Sequence, residues 1–112
     1  MNIHTYQSSS GRDLIREYID TLTGPEQIDA LSVLECMENG EFDKIYSKQW
    51  QKRVYEVYFQ KHNRLFYIVA DSDNLYLLHA CKKQKNRTET KDKNIIIKRA
   101  KELGKVLGKK FI

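Results

Sequence analysis

The chain has 112 residues, with 20 Lys and Arg against 15 Asp and Glu for a net charge of +5, and is 40% hydrophobic and 11% aromatic. That length supports one domain, 1–112, with a core that needs neither disulfides nor metal, and the apolar content excludes a disordered chain. No apolar run approaches the roughly 18 residues of a membrane span, no basic-then-apolar leader opens the sequence, and Cys36 and Cys81 are too few for a disulfide framework, so a reduced, cytoplasmic protein with no membrane partner is expected.

Residues 2–7 alternate and end at Ser8–Gly11, which predicts a short strand and a turn. From Arg12 the period changes: Leu14, Ile15, Tyr18, Ile19 and Leu22 stand at helical spacing, with Ser10 or Asp13 as cap. Thr23-Gly24-Pro25 stops that helix and starts the next, whose expected apolar face is Ile28, Leu31, Leu34 and Cys36 or Met37, closed by Asn39-Gly40. Residues 41–49 read as a polar connection. Three strand-like runs follow, Trp50–Phe59, Leu65–Ala70 and Leu75–Cys81, separated by turn-like breaks at 61–64 and 71–74, the composition of an antiparallel meander. Residues 82–94 are almost wholly polar. Ile96, Ala100, Leu103 and Leu107 then mark a helix with one stripe on the sheet, its end weakened by Gly104 and Gly108. The expected fold is α+β, in the order β-α-α-β-β-β-α.

Charge is unevenly placed along this order. Residues 1–46 carry three bases and nine acids, a net −6, whereas residues 47–112 carry seventeen bases and six acids, a net +11. From Lys82 to Lys110 there are twelve bases and three acids. A polyanion is therefore the expected partner of the C-terminal half, with nucleic acid the leading candidate and a solvated Lys-rich face the alternative.

The meander also carries motifs. Lys48-Gln-Trp50, Val54-Tyr-Glu-Val57, Arg64-Leu-Phe-Tyr67 and Leu77-Leu-His-Ala-Cys-Lys-Lys83 resemble, in register, the K-x-L, L-W-E-L-R, Y-R-I-x-Y and L-L-H-x-F-x-K-K-T-Q-K-T-P motifs of the RelE/ParE toxin superfamily. More narrowly, the chain is similar to the phage-derived Gp49-like branch that includes HigB toxins. The resemblance implies a RelE-like sheet backed by helices, similar to microbial ribonucleases. It implies the toxin of a type II toxin–antitoxin pair that cleaves mRNA in the ribosomal A site, close to rRNA, under the control of a helix-turn-helix antitoxin. Lys48, Arg64, His79, Lys83 and Arg87 match basic or histidine positions of the motifs. Two positions depart from them: Tyr58 stands where the second motif ends in Arg, and Glu89 follows Thr88 where the fourth has Pro. Two other readings stay open, a ParE-like inhibitor of DNA gyrase and a non-catalytic homologue that only binds a protein or RNA partner.

Cutting RNA without metal or cofactor needs a base for the 2′-OH, cations around the phosphorane and an acid for the leaving 5′-oxygen. Arg64, Lys48, Lys83 and His79 are the catalytic candidates, Arg64 on the scissile phosphate and His79 as acid/base. Lys52, Arg53, Tyr58, Lys82, Lys85 and Arg87 are candidates for RNA contact, and His62 is a lesser acid/base candidate. Along residues 53–59, Tyr55, Val57 and Phe59 are expected to face the core, leaving Glu56 and Tyr58 on the functional side or at an edge. His79-x-Cys81 invites a zinc reading, but no second ligand pair stands at metal spacing, so no metal site is expected.

Overall fold

The computed structural model describes residues 1–60, 62–83 and 87–112. Strand β1 (Asn2–Thr5) leads to helices α1 (Leu14–Asp20) and α2 (Gly24–Glu38), a 3-10 turn at Phe42–Lys44, strands β2 (Tyr46–Gln51), β3 (Val54–Phe59), β4 (Asn63–Val69) and β5 (Asn74–Lys82), and helix α3 (Thr90–Leu107). The sheet runs β1-β5-β4-β3-β2; β1 lies parallel to β5 and every other pair is antiparallel. The α+β class is as expected, with one strand more than the sequence indicates.

The extra strand comes from the run that begins at Trp50. It is not one strand: Lys52 takes a left-handed φ of 51° and the chain reverses there, so that Tyr46–Gln51 pairs back on Val54–Phe59. The turn holds no Gly, Asn or Asp, the residues that usually announce such a reversal, and Gln49 stabilises it by donating Nε2 to the Lys52 carbonyl at 2.7 Å. Residues 46–49, expected as connection, are therefore the outer strand of the sheet.

Both faces of the sheet are covered. On one, α1 and α2 bury Ile15, Ile19, Ala30, Val33 and Met37 against Val57, Phe59, Leu65, Leu75 and Leu77. On the other, α3 buries Ile96 and Ala100, with Phe111 beyond it, against Val54, Phe66, Ile68 and Leu78. This three-layer arrangement corrects two expectations. Tyr55 is exposed, and Val54 and Glu56, on the opposite side of β3 from Val57, are as buried as Val57. On α2 the buried positions are Ala30, Val33 and Met37, while Ile28 and Leu31 point outward at 68% and 50% exposure.

Local chemistry fixes the helix ends. Asp13 caps α1 by accepting from the Arg16 N–H, and Thr23 with Glu26 forms a reciprocal capping box on α2. Helix α3 ends at Gly108 in the left-handed region, φ 66°, as a C-terminal cap requires. Gly104 serves packing rather than weakening the helix: a Cβ there would lie 2.5 Å from the Lys109 carbonyl oxygen, so only glycine lets the C-terminal tail fold back. That return seats Phe111 in the core under the Arg53 guanidinium.

Candidate functional site

Strand register assembles the site. Lys48 of β2 stands opposite Glu56 of β3, Glu56 opposite Phe66 of β4, and Phe66 opposite His79 of β5. Two residues further along the strands the row is Tyr46, Tyr58, Arg64 and Cys81. Alternation sends both rows to the face that α3 covers in part. Where α3 does not reach, a cleft of about 780 Å³ opens, lined by Lys48, Trp50, Glu56, Lys83, Arg87 and Lys93 among others.

Glu56 is the centre of this arrangement. It is 1% exposed, an unusual place for a carboxylate unless cations accompany it. Lys83, itself 6% exposed, donates Nζ to Glu56 Oε1 at 3.0 Å, and Arg64 Nε makes an ion pair with the same oxygen at 3.0 Å. The second oxygen, Oε2, is buried and accepts no hydrogen bond among the described residues. One edge of the carboxylate is thus saturated and the other is left over, which in a buried group calls for a donor from outside.

Neighbouring elements hold the two cations. Arg64 follows Asn63, a fully buried residue that accepts from Tyr18 Oη of α1 at 2.6 Å and donates to Glu26 Oε2 of α2 at 2.6 Å. The hydrogen bonds from Asn63 and then Thr23 hold the Glu26 carboxyl below the usual carboxylate range. The Arg64 guanidinium rests over the Tyr58 ring, 5.0 Å from its centroid, and Tyr58 in turn stacks on the exposed Tyr46 ring at 5.4 Å. An Arg at position 58, directly opposite Arg64 in the ladder, would set two like charges against each other; Tyr58 gives the guanidinium an aromatic face instead. At the far end, Trp50 donates Nε1 to Thr88 Oγ1 at 2.9 Å and ties β2 to the segment before α3.

The sequence-derived candidates divide accordingly. Lys48, Lys83 and Arg87 line the cleft, and Arg64 joins them through Glu56. His79 does not line it: its Nε2 is hydrogen-bonded to Asp92 Oδ1 at 2.8 Å, and Arg99, which donates to the Leu78 carbonyl at 2.7 Å, approaches its Nδ1 at 3.4 Å. Burial, opposed by the Asp92 bond, pulls the His79 imidazole below its ordinary value. Lys52 and Arg53 form the β2–β3 turn, and Arg53 is spent on the Val69 carbonyl and the Phe111 ring. Lys82 is exposed beside Glu26 at 3.9 Å, and His62 offers its carbonyl to the Lys83 N–H at 2.7 Å. Lys85, like Lys61 of the expected turn, lies outside the described residues.

Two residues central to the geometry escaped the sequence reading of the site. Glu56 carried a face assignment but no role, because a single acid between Tyr55 and Val57 has no local partner; its cations arrive from positions 64 and 83. Asp92, 6% exposed, lay in a stretch that looked merely polar.

The family model for the Phage derived protein Gp49-like family (DUF891) matches residues 17–101, from α1 through most of α3, and the chain belongs to that family. Comparison with curated proteins gives no match. Among the described residues, no helix is long and apolar enough to cross a membrane.

Proposed function

We propose that this Gp49-like protein is a RelE/HigB-type toxin of a type II toxin–antitoxin pair, an endoribonuclease that cuts mRNA in the ribosomal A site with side-chain cations in place of a catalytic metal. One observation carries the reading: a buried carboxylate that lines the cleft keeps an oxygen without a described donor, and the other charged walls of that cleft are mainly Lys and Arg. The 2′-hydroxyl of RNA is a donor of the kind that oxygen lacks, and the phosphate beside it suits the cations.

In the proposed reaction, Glu56 Oε2 takes the 2′-OH proton and O2′ bonds to phosphorus. The P–O5′ bond then breaks, leaving a 2′,3′-cyclic phosphate on one fragment and a 5′-hydroxyl on the other. Lys83 and Arg64 hold Glu56 in place and set positive charge beside the equatorial oxygens, while Arg87 and Lys93 extend the same field along the cleft. Lys48, across the ladder from Glu56, supplies the proton to the departing O5′. This moves the acid role from His79 to Lys48, since His79 engages Asp92 away from the cleft. The exposed lysines of α3, among them Lys91, Lys98, Lys101 and Lys105, suit rRNA backbone, and a helix-turn-helix antitoxin is the partner the family resemblance implies.

Induced expression should arrest translation, with new mRNA 5′ ends inside codons by primer extension. Glu56→Gln and Arg64→Ala should each abolish both effects. Arrest of parental strength from either variant would remove the site assignment. A second reading, a non-catalytic homologue, is favoured by Tyr58 in place of the motif Arg; it predicts harmless expression and intact mRNA.

A further inference from the structure

A second cluster of side chains lies beside the cleft without lining it. His79 and Cys81 stand two apart on β5, on the face toward α3, and Asp92 enters from the first turn of α3. One donor atom from each, nitrogen, sulfur and oxygen, falls within 4.8 Å of the others. Asp92 is 6% exposed, and the other two side chains are partly buried. We propose that His79, Cys81 and Asp92 form a binding site for a divalent cation of the zinc class, separate from the nuclease cleft and independent of the nuclease reading.

The donor set is the argument for the ion. Imidazole, thiolate and carboxylate together suit zinc, whereas calcium and magnesium take oxygen ligands. Bonds of about 2.0–2.3 Å to a tetrahedral ion set its donors roughly 3.3–3.7 Å apart. Binding therefore draws the Cys81 sulfur inward and moves His79 Nε2 and Asp92 Oδ1 apart by under about 1 Å from their 2.8 Å hydrogen bond. Ligation through Nε2 puts the ring proton on Nδ1, so Arg99 gives up its 3.4 Å approach there and keeps the Leu78 carbonyl.

Space for a further ligand adjoins the cluster on the Cys81 and Asp92 side. A cavity of about 10 Å³, lined by Cys81, Thr88, Glu89 and Asp92 among others, adjoins two of the three ligands. That is room for about one water, the ligand expected to complete a three-residue site. Charge also balances: the Cys81 thiol gives up its proton as the ion binds, and the resulting thiolate and the Asp92 carboxylate together neutralise a divalent ion. Sequence spacing alone hid the site because its third ligand is eleven residues past Cys81, across the segment before α3.

Cobalt(II) is the probe. The full-length protein, kept reduced without thiol reagents, should take up one Co²⁺ with a sulfur-to-cobalt charge-transfer band and the intense visible bands of a four-coordinate ion, and Zn²⁺ should displace it. Cys36→Ser should keep these bands. Cys81→Ser should lose the charge-transfer band, and both it and Asp92→Asn should bind more weakly by at least about a hundredfold, beyond the usual effect of an outer-shell change. Zn²⁺ should raise the melting temperature of the parent and of Cys36→Ser but not of Cys81→Ser, whose metal-free melt serves as the folding control. A parent without the band, a band that survives Cys81→Ser, or one lost in Cys36→Ser overturns the proposal and leaves His79 and Asp92 as a hydrogen-bonded pair only.

Discussion

Replacing Glu56 by leucine tests the electrostatic logic of the site apart from its chemistry. The carboxylate is 1% exposed and holds Lys83, 6% exposed, and Arg64 on one oxygen. Glu56→Leu leaves the Lys83 ammonium buried without its counterion, a situation that costs about 3–5 kcal/mol. For 112 residues the whole stability is about 6–17 kcal/mol at the usual 0.05–0.15 per residue, so the loss is a large share of it. With a urea slope near 2 kcal/mol/M, the midpoint should fall by roughly 1.5–2.5 M. The double variant Glu56→Leu/Lys83→Met removes both buried charges, and Arg64, whose side chain is 13% exposed, retains its place over Tyr58. Most of the lost midpoint should return, because an apolar pair of similar volume is often as stable as the ion pair it replaces. Urea unfolding of the four proteins of this cycle, followed by tryptophan fluorescence and circular dichroism, measures the coupling. A Glu56→Leu variant within about 1 kcal/mol of the parent, or a double variant no better than the single, would refute the picture of a buried, charge-compensated carboxylate. The recovered double variant should be folded and unable to arrest translation, which separates loss of chemistry from loss of structure.

Other substitutions probe the frame that presents the site. Gly104→Ala brings a methyl to 2.5 Å from the Lys109 carbonyl; the tail that seats Phe111 must shift, and stability should drop by about 1–3 kcal/mol in thermal melts. Thr23→Ala removes the α2 capping box and should cost about 1 kcal/mol by denaturant unfolding, an unchanged midpoint counting against the cap. His79 titrates below its ordinary value in the folded state, so the unfolded chain takes up the proton first as pH falls. Its contribution to stability is complete above the unfolded value of about 6.5 and is lost as pH drops through the folded one. The slope of stability against pH just below 6.5 should therefore flatten in His79→Gln, whatever offset the lost Asp92 bond adds, and an unaltered slope would contradict the assignment.

The α+β class, the helix pair, Arg64 at the head of a strand and the basic C-terminal half were all readable from local pattern, because each is a statement about neighbours in sequence. The errors share a cause. Residues 46–49 read as connection, and Trp50–Phe59 as one strand, because Lys52 makes the reversal without a turn-forming residue; the apolar face of α2 reads as Ile28 and Leu31 because a large side chain outweighs Ala30 in any reading of periodicity. Tyr58 read as a missing base until its place opposite Arg64 gave it a partner. Glu56 and Asp92 needed contacts 27 and 13 residues away, to Lys83 and His79, before either meant anything. Short-range pattern reports what a residue is next to along the chain, and a site is made of what meets across it.

Strand β1 precedes every other described element along the chain, and its hydrogen-bonding partner β5 is the last of the five strands. His4 of β1 also bonds Asn74, 70 residues later. Helices α1 and α2 pack on a sheet face that does not exist until β3, β4 and β5 have formed. A growing chain therefore carries its acidic, helical segment with nothing to dock on until β3, β4 and β5 have emerged. Closing so long a loop is slow relative to the hairpins between β2 and β5, which form from adjacent residues. Insertion of β1 at the sheet edge is expected to be the late event of folding, and the N-terminal strand the first to open when the native protein loosens.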